Sequence, residues 1–112
     1  MEQFKTFEDF WPYYVAQHSL ASTRALHFAG TTMVLGALVA TVLYSLWWLP
    51  AAFVLGYGPA WIGHFFFEKN RPATFTHPLW SLRGDFRMWC RMLLGRMAPE
   101  VDRAVRTYPR PG

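Results

Sequence analysis

Between Ala25 and Phe67 the chain runs for 43 residues without an Asp, Glu, Lys or Arg. A bilayer core about 30 Å thick takes roughly 20 apolar residues per helix, so this stretch is long enough for two spans. In its middle, Trp47, Trp48, Leu49 and Pro50 combine rings that favour a membrane interface with a residue that cannot continue a helix. The expected fold is therefore an all-α integral membrane protein. A two-helix transmembrane hairpin, with spans at about 25–48 and 51–67, is flanked by N-terminal and C-terminal interfacial helices. Gly56, Gly58, Pro59 and Gly63 predict a kink in the second helix, which lipid-embedded helices tolerate where neighbours satisfy the freed backbone groups. The competing arrangement is a buried soluble hairpin, for which the remainder of the 112 residues offers little material to wrap it.

Charge is sorted around this stretch. Residues 1–24 carry two basic and three acidic side chains and residues 68–112 carry nine and four, so the net +4 lies on the C-terminal side. The basic residues nearest the spans, Arg24, Lys69, Arg71, Arg83 and Arg87, place both ends of the hairpin in the cytoplasm. The bacterial inner membrane is the expected location ahead of the endoplasmic reticulum. A secretory signal is not expected, because Glu2, Glu8 and Asp9 precede the apolar run. The single cysteine, Cys90, precludes an internal disulfide. One membrane domain results, made of an N-terminal interfacial helix (1–24), the hairpin (25–67), a loop and amphipathic helix (68–98), and a short helix and tail (99–112). The last six residues are expected to be mobile.

The flanking segments have their own periodicity. Asp9 can cap a helix from about Phe10 to His18 with Pro12 at its third position. Phe7, Phe10, Trp11, Tyr14 and His18 then form an aromatic stripe that packs on the hairpin or lies among headgroups. Ser22 can cap the next helix, which puts His18 and His27 on different helices. After a loop from about Lys69 to Pro78, residues 79–94 have helical period, with Leu82, Phe86, Trp89 and Leu93 on one stripe and Arg83, Arg87 and Arg91 on another. The arginine stripe predicts a helix resting on an anionic lipid surface; nucleic acid is not an expected partner. Pro99 starts a last helix reaching about Arg106.

The chemistry gathers in the histidines. His27 stands two residues inside the first span and His64 three residues before the end of the second, so both lie within roughly 3 to 5 Å of the same boundary. His18 and His77 flank the spans on that same side. Any one histidine is most simply a neutral side chain bonded to a carbonyl, but four on one face suggest a metal site. Glu68, four residues beyond His64, can ligate a metal or orient the imidazole, or simply pair with Lys69 or Arg71. Imidazole with or without carboxylate suits Fe(II), Zn or Cu.

Two motifs carry a resemblance. The run His18 to Gly30, HSLASTRALHFAG, has the form His-x8-His-x-x-Gly, and the run Gly63 to Ala73, GHFFFEKNRPA, has the form Gly-His-x3-Glu-x3-Pro-Ala. In this order and across a hairpin they resemble the 2-hydroxy-fatty-acid dioxygenases, the 2-hydroxypalmitate dioxygenase-like family, over about residues 7–95. The following ATFTHPLWSLRGDF is similar to its short members. Thr23 stands where longer members often have Asn. The resemblance implies an integral membrane enzyme that uses Fe(II) and O2 to remove one carbon from a 2-hydroxy fatty acid in α-oxidation. It implies His18, His27 and His64 as iron ligands, His77 as a further one placed by the short-member tail, and Glu68 as a motif carboxylate. Arg24, Lys69 and Arg71 are candidates to receive the substrate carboxylate, Arg71 foremost, against ordinary snorkelling of basic side chains. Two other classes stay open: a b-type haem protein with His27 and His64 as axial ligands, and a non-catalytic membrane scaffold.

Overall fold

The structure, a computed structural model, describes residues 4–108. These residues form α1 (Phe7–Ala16), α2 (Ala21–Leu43), α3 (Trp48–Ile62), a π-helical segment (Gly63–Glu68), a 3-10 turn (Ala73–Phe75), α4 (Pro78–Leu93) and α5 (Met97–Thr107), and no strand occurs among them. The end of the tail, from residue 109, lies outside the described residues, and so does its expected mobility.

The hairpin is made by α2 and α3. Its turn occupies residues 44–47, earlier than the expected break at Pro50. Pro50 instead sits in the first turn of α3, where its missing N–H has no helical partner to lose. The second helix is not broken at Pro59 either; it continues to Ile62 and passes directly into the π-helical segment. The two backbones touch where glycines face each other: a Cβ on Gly30 would stand 3.0 Å from the carbonyl oxygen of Gly56. Small residues at a helix–helix contact let the two backbones approach this closely.

Among the described residues only α2, with 23 residues, is long and apolar enough by itself to cross a membrane; α3 has 15. The hairpin nevertheless presents a broad apolar surface. Val42, Tyr44 and Trp47 near its tip are 83%, 81% and 83% exposed, and Phe53 and Val54 follow on α3.

The buried aromatic core lies elsewhere. Phe7, Phe10, Trp11 and Tyr14 of α1 pack with Met88 of α4 and with Met97 and Val101 of α5. Thus the N-terminal aromatic stripe is core between α1, α4 and α5. Its helix starts earlier than expected because Thr6 Oγ1, not Asp9, accepts the capping bond, from the Asp9 N–H at 3.1 Å. Asp9 becomes a first-turn residue, where its charge complements the helix dipole, and Pro12 lies inside the helix.

The arginine stripe of α4 is also turned inward. Arg83 and Arg87 lie over the Phe7 ring at 4.2 and 4.7 Å, Arg87 makes a two-toothed ion pair with Glu8 at 3.0 and 2.8 Å, and Arg91 pairs with Glu100 at 2.8 Å. Strict four-residue spacing gives one face, as expected, and that face is engaged by α1 and α5. The other side of α4 reaches the hairpin: Trp89 Nε1 donates to Thr32 Oγ1 at 2.9 Å, and its ring stacks on Phe28. Gly95, at φ +70°, closes α4 with a left-handed turn, its N–H donating to the Met92 carbonyl.

Candidate metal centre

Three histidines from three elements converge where α1, α2 and the π-helical segment meet. His18 lies in the bend after α1, His27 in the second turn of α2, and His64 second in the π-helical segment. One ring nitrogen from each lies within 4.8 Å of the others, and all three side chains are buried. His18 Nε2 and His27 Nε2 are 3.1 Å apart.

The outer nitrogens are held from behind. His18 Nδ1–H donates to the Tyr14 carbonyl at 2.6 Å, and His64 Nδ1–H donates to Asn70 Oδ1 at 2.7 Å. Both assignments follow from the partners, which can only accept, and they leave Nε2 as a lone pair on each ring. His27 Nδ1 is buried and faces the Thr23 carbonyl one turn back, outside hydrogen-bond geometry. Burial, then the neighbouring His27 and His64, hold His18 well below the usual imidazole range, hence neutral.

Imidazoles whose ring nitrogens converge, with the lone pair on Nε2 in His18 and His64, are a receptor for a cation that displaces the proton shared between His18 and His27. Two nitrogens at about 2.1 Å from one ion stand roughly 3.0 Å apart at a right angle and roughly 3.4 Å apart at a tetrahedral angle. The 3.1 Å between His18 and His27 lies between these values. The donor set suits Fe, Zn, Cu or Ni. Rings in edge contact, with centroids 4.3 to 5.2 Å apart, leave no slot between them for the macrocycle that a haem reading requires.

Local backbone explains which neighbours support the cluster. The π-helical segment has a wider turn than an α-helix, and Lys69 ends it in the left-handed region at φ 62°. The Asn70 N–H then returns to the His64 carbonyl at 3.0 Å, which brings the Asn70 side chain to the His64 ring and its amide nitrogen to the Gln17 carbonyl at 3.1 Å. Gly63 allows the segment to lie on α2: a Cβ there would stand 2.9 Å from Thr23 Cγ2.

Glu68 has a different part from orienting His64. Its carboxylate accepts from Ser19 Oγ at 2.9 Å and from the Leu20 N–H at 2.5 Å, capping α2 from 48 residues away. Ser22, the expected cap, lies inside the first turn of α2. Arg24 braces the same bend, with one guanidinium nitrogen 2.8 Å from the carbonyls of both His18 and Ser19. Lys69 and Arg71 are exposed at the end of the π-helical segment and on the loop beyond it.

His77 does not join the cluster. Its ring stacks on Trp80 at 5.7 Å and lies beside Phe10 at 5.1 Å, and its Nδ1 is 2.8 Å from Thr76 Oγ1. The aromatic core of α1 and α4 holds His77 apart from the other three.

Two polar residues escape the sequence reading. One is Asn70. The other is Asp85 of α4, which accepts a hydrogen bond from the Tyr14 hydroxyl and stands 3.6 Å from His27 Nε2. Burial pushes the Asp85 carboxyl up to about 7, against the Tyr14 bond that lowers it. The spacing held a signal, because Asp85 shares a helix face with Leu82 and Phe86, where a lone carboxylate on an apolar stripe calls for a partner.

A profile of the family described as 2-hydroxy-palmitic acid dioxygenase Mpo1-like matches residues 4–97. The chain belongs to that family. The match spans all four histidines, Glu68, Asn70 and Asp85. Neither a curated protein nor a solved structure matches the chain. Mpo1-like membership points to dioxygenase chemistry with metal and O2 and to a 2-hydroxy fatty acid as substrate, and His18, His27 and His64 form a cluster able to hold the metal.

Proposed function

We propose that this chain is an Fe(II)-dependent membrane dioxygenase that removes one carbon from 2-hydroxy fatty acids, with His18, His27 and His64 as the metal ligands. The convergence of three buried, neutral imidazoles within 4.8 Å carries the reading. Bound there, Fe(II) would supply a Lewis-acidic and redox-active centre with positions left open for substrate oxygens and for O2.

The chain's own residues do the positioning. The Tyr14 carbonyl and Asn70 Oδ1 fix the ring orientation and tautomer of His18 and His64, which raises their basicity as ligands. Glu68 and Arg24 hold the bend that carries His18. Tyr14 and Asp85 put a hydrogen-bonded pair beside His27, where it can accept a proton or hydrogen bond from a polar head. Arg71, exposed on the approach to the cluster's segment, is the proposed first contact for the substrate carboxylate.

The membrane setting is part of the proposal. The charge-free stretch, the exposed apolar residues of α2 and α3 and the family's fatty acid substrate support a transmembrane hairpin with both termini cytoplasmic. In that setting α3 and its π-helical continuation together supply the second span.

Protein purified in mild detergent without chelator and loaded anaerobically with Fe(II) should bind close to one iron per chain and shorten a 2-hydroxy fatty acid by one carbon in the presence of O2. Alanine at His18, His27 or His64 should lower bound iron and abolish the shortening. Equal iron in wild type and all three variants would sink the assignment and leave the scaffold reading in its place.

A further inference from the structure

A cavity of about 220 Å³ runs between α2, α3 and α4, starting at the metal cluster. One end is polar: His27 and Asp85 line it, with Thr31 and Tyr57 close behind. Beyond them the α2 wall continues through Val34 to Leu38, eleven residues from His27, or roughly 16 Å along the axis. On α3, which runs the opposite way, Ala60 and Tyr57 lie near the polar end and Ala52 and Leu49 near the other. The far part is therefore wholly apolar, and Leu38, Leu49 and Phe53 are themselves partly exposed, so this part opens sideways onto the apolar surface of the hairpin.

Shape and polarity select the occupant. An apolar cavity of about 150 Å³ accepts a benzene ring, so this one takes a stretch of single chain and is too small for a polycyclic lipid or two chains side by side. Its polar end offers the acceptor oxygen of Asp85, already fixed by the Tyr14 hydroxyl, next to the imidazole of His27. A molecule with a hydroxyl donor at one end and a hydrocarbon chain behind it complements both parts.

We infer that this cavity is the acyl-chain subsite, with the 2-hydroxyl of the fatty acid donating to Asp85 beside His27, and that Leu38, Leu49 and Ala52 form the far gap through which a longer chain passes toward lipid, so that their bulk decides how well long chains are accepted. The inference rests on the proposed function for the identity of the head group. The chain lies along the α2–α3 seam with its tail toward lipid, so a substrate reaches the metal from within the bilayer. Ala52 is the sensitive position, since it is buried in the wall and small.

The test uses the full chain in detergent and two readouts. The first is binding of a long conjugated polyene fatty acid to metal-free protein; the second is the chain-length dependence of oxygen-dependent shortening after Fe(II) loading. Ala52→Phe should weaken binding of the long polyene acid about tenfold and raise KM for long 2-hydroxy acids by a similar factor, with a smaller change for short ones. Leu38→Ala, which opens the far end without adding bulk, should move the preference toward longer chains, so the inference stays testable if Ala52→Phe does not fold. Val39→Phe places the same ring at an exposed position outside the cavity and should leave the profile in place. Turnover whose chain-length profile ignores Ala52→Phe and Leu38→Ala would overturn the subsite while sparing the proposed function. Binding that shifts as expected in a protein that never turns over would do the reverse. Displacement of the polyene acid by a plain alkane or a phospholipid as readily as by a 2-hydroxy acid would show a lipid groove without head-group selection, and that too would overturn the inference.

Discussion

Asn70 Oδ1 lies 2.7 Å from His64 Nδ1, while the amide nitrogen of the same side chain donates to the Gln17 carbonyl. One neutral side chain thus fixes a proposed ligand and ties it to the end of α1. Removing such an outer partner typically costs about 10 to 100-fold in metal affinity or activity. Asn70→Ala should lower iron affinity by a factor in that range, measured by competition with a chelator of known strength, with the fold retained by circular dichroism. An unchanged affinity would mean that His64 is oriented by packing alone.

Glu68 should behave differently. Its two oxygens cap the start of α2 and grip Ser19, both part-buried contacts that hold the bend carrying His18. Hydrogen bonds to a charged group contribute about 1.5 to 3 kcal/mol. Glu68→Ala should therefore lower thermal stability by about that amount, and Glu68→Gln by less, since the amide oxygen still accepts from the Leu20 N–H. A loss of iron in Glu68→Gln with no change in melting temperature would place the carboxylate at the metal instead.

The contrast between these two residues shows what the sequence made legible. Helical periodicity and the charge-free stretch located every helix to within a few residues, because apolar spacing is a property of the chain itself. The three histidines were legible too, since a hairpin brings residues at equal depth together whatever its details. Asn70, not Glu68, lies against the His64 ring, for a reason the spacing concealed. Four-residue spacing implies a shared face only in an α-helix, and Gly63–Glu68 is a π-helix that ends in a left-handed Lys69. The neighbours of His77 and of the arginine stripe stayed hidden because these partners, Trp80 and Phe10 for one and Phe7, Glu8 and Glu100 for the other, are fixed by how α1 and α5 fold back on α4. No local pattern encodes that return.

The inward arginine stripe gives a prediction opposite to that of a lipid-bound helix. Gln at Arg83, Arg87 and Arg91 together should loosen the packing of α1 and α5 on α4, visible as faster amide exchange in α1, while attachment to anionic vesicles stays as in wild type. The pH dependence has a definite sign. The Arg87 hydrogen bond holds the Glu8 carboxyl below its ordinary 4.5. That contribution is present above 4.5 and disappears as pH falls through the lower folded value, so the protection of α1 amides relative to their intrinsic exchange at each pH should fall on acidification in wild type and less so in Glu8→Gln. Weaker vesicle attachment of the triple variant with α1 exchange unchanged would restore the lipid-surface reading.

His77 provides the sharpest separation between a ligand and a core histidine. Its ring stacks on Trp80 with an interplanar angle of 3° and lies against Phe10, so its surroundings ask for a flat ring more than for a nitrogen donor. Phe offers the same plane, and the hydrogen bond given up is the one to the Thr76 hydroxyl, an exposed contact that water can replace. His77→Phe should accordingly keep iron stoichiometry and oxygen-dependent shortening near wild type. His77→Ala should retain the metal but lose stability, by about 1 to 3 kcal/mol for the cavity and the lost ring contacts. Iron content after Fe(II) loading and the melting temperature read the two effects separately. If His77→Phe empties the site as His64→Ala does, the metal draws His77 in on binding, and the cluster must be counted as four histidines.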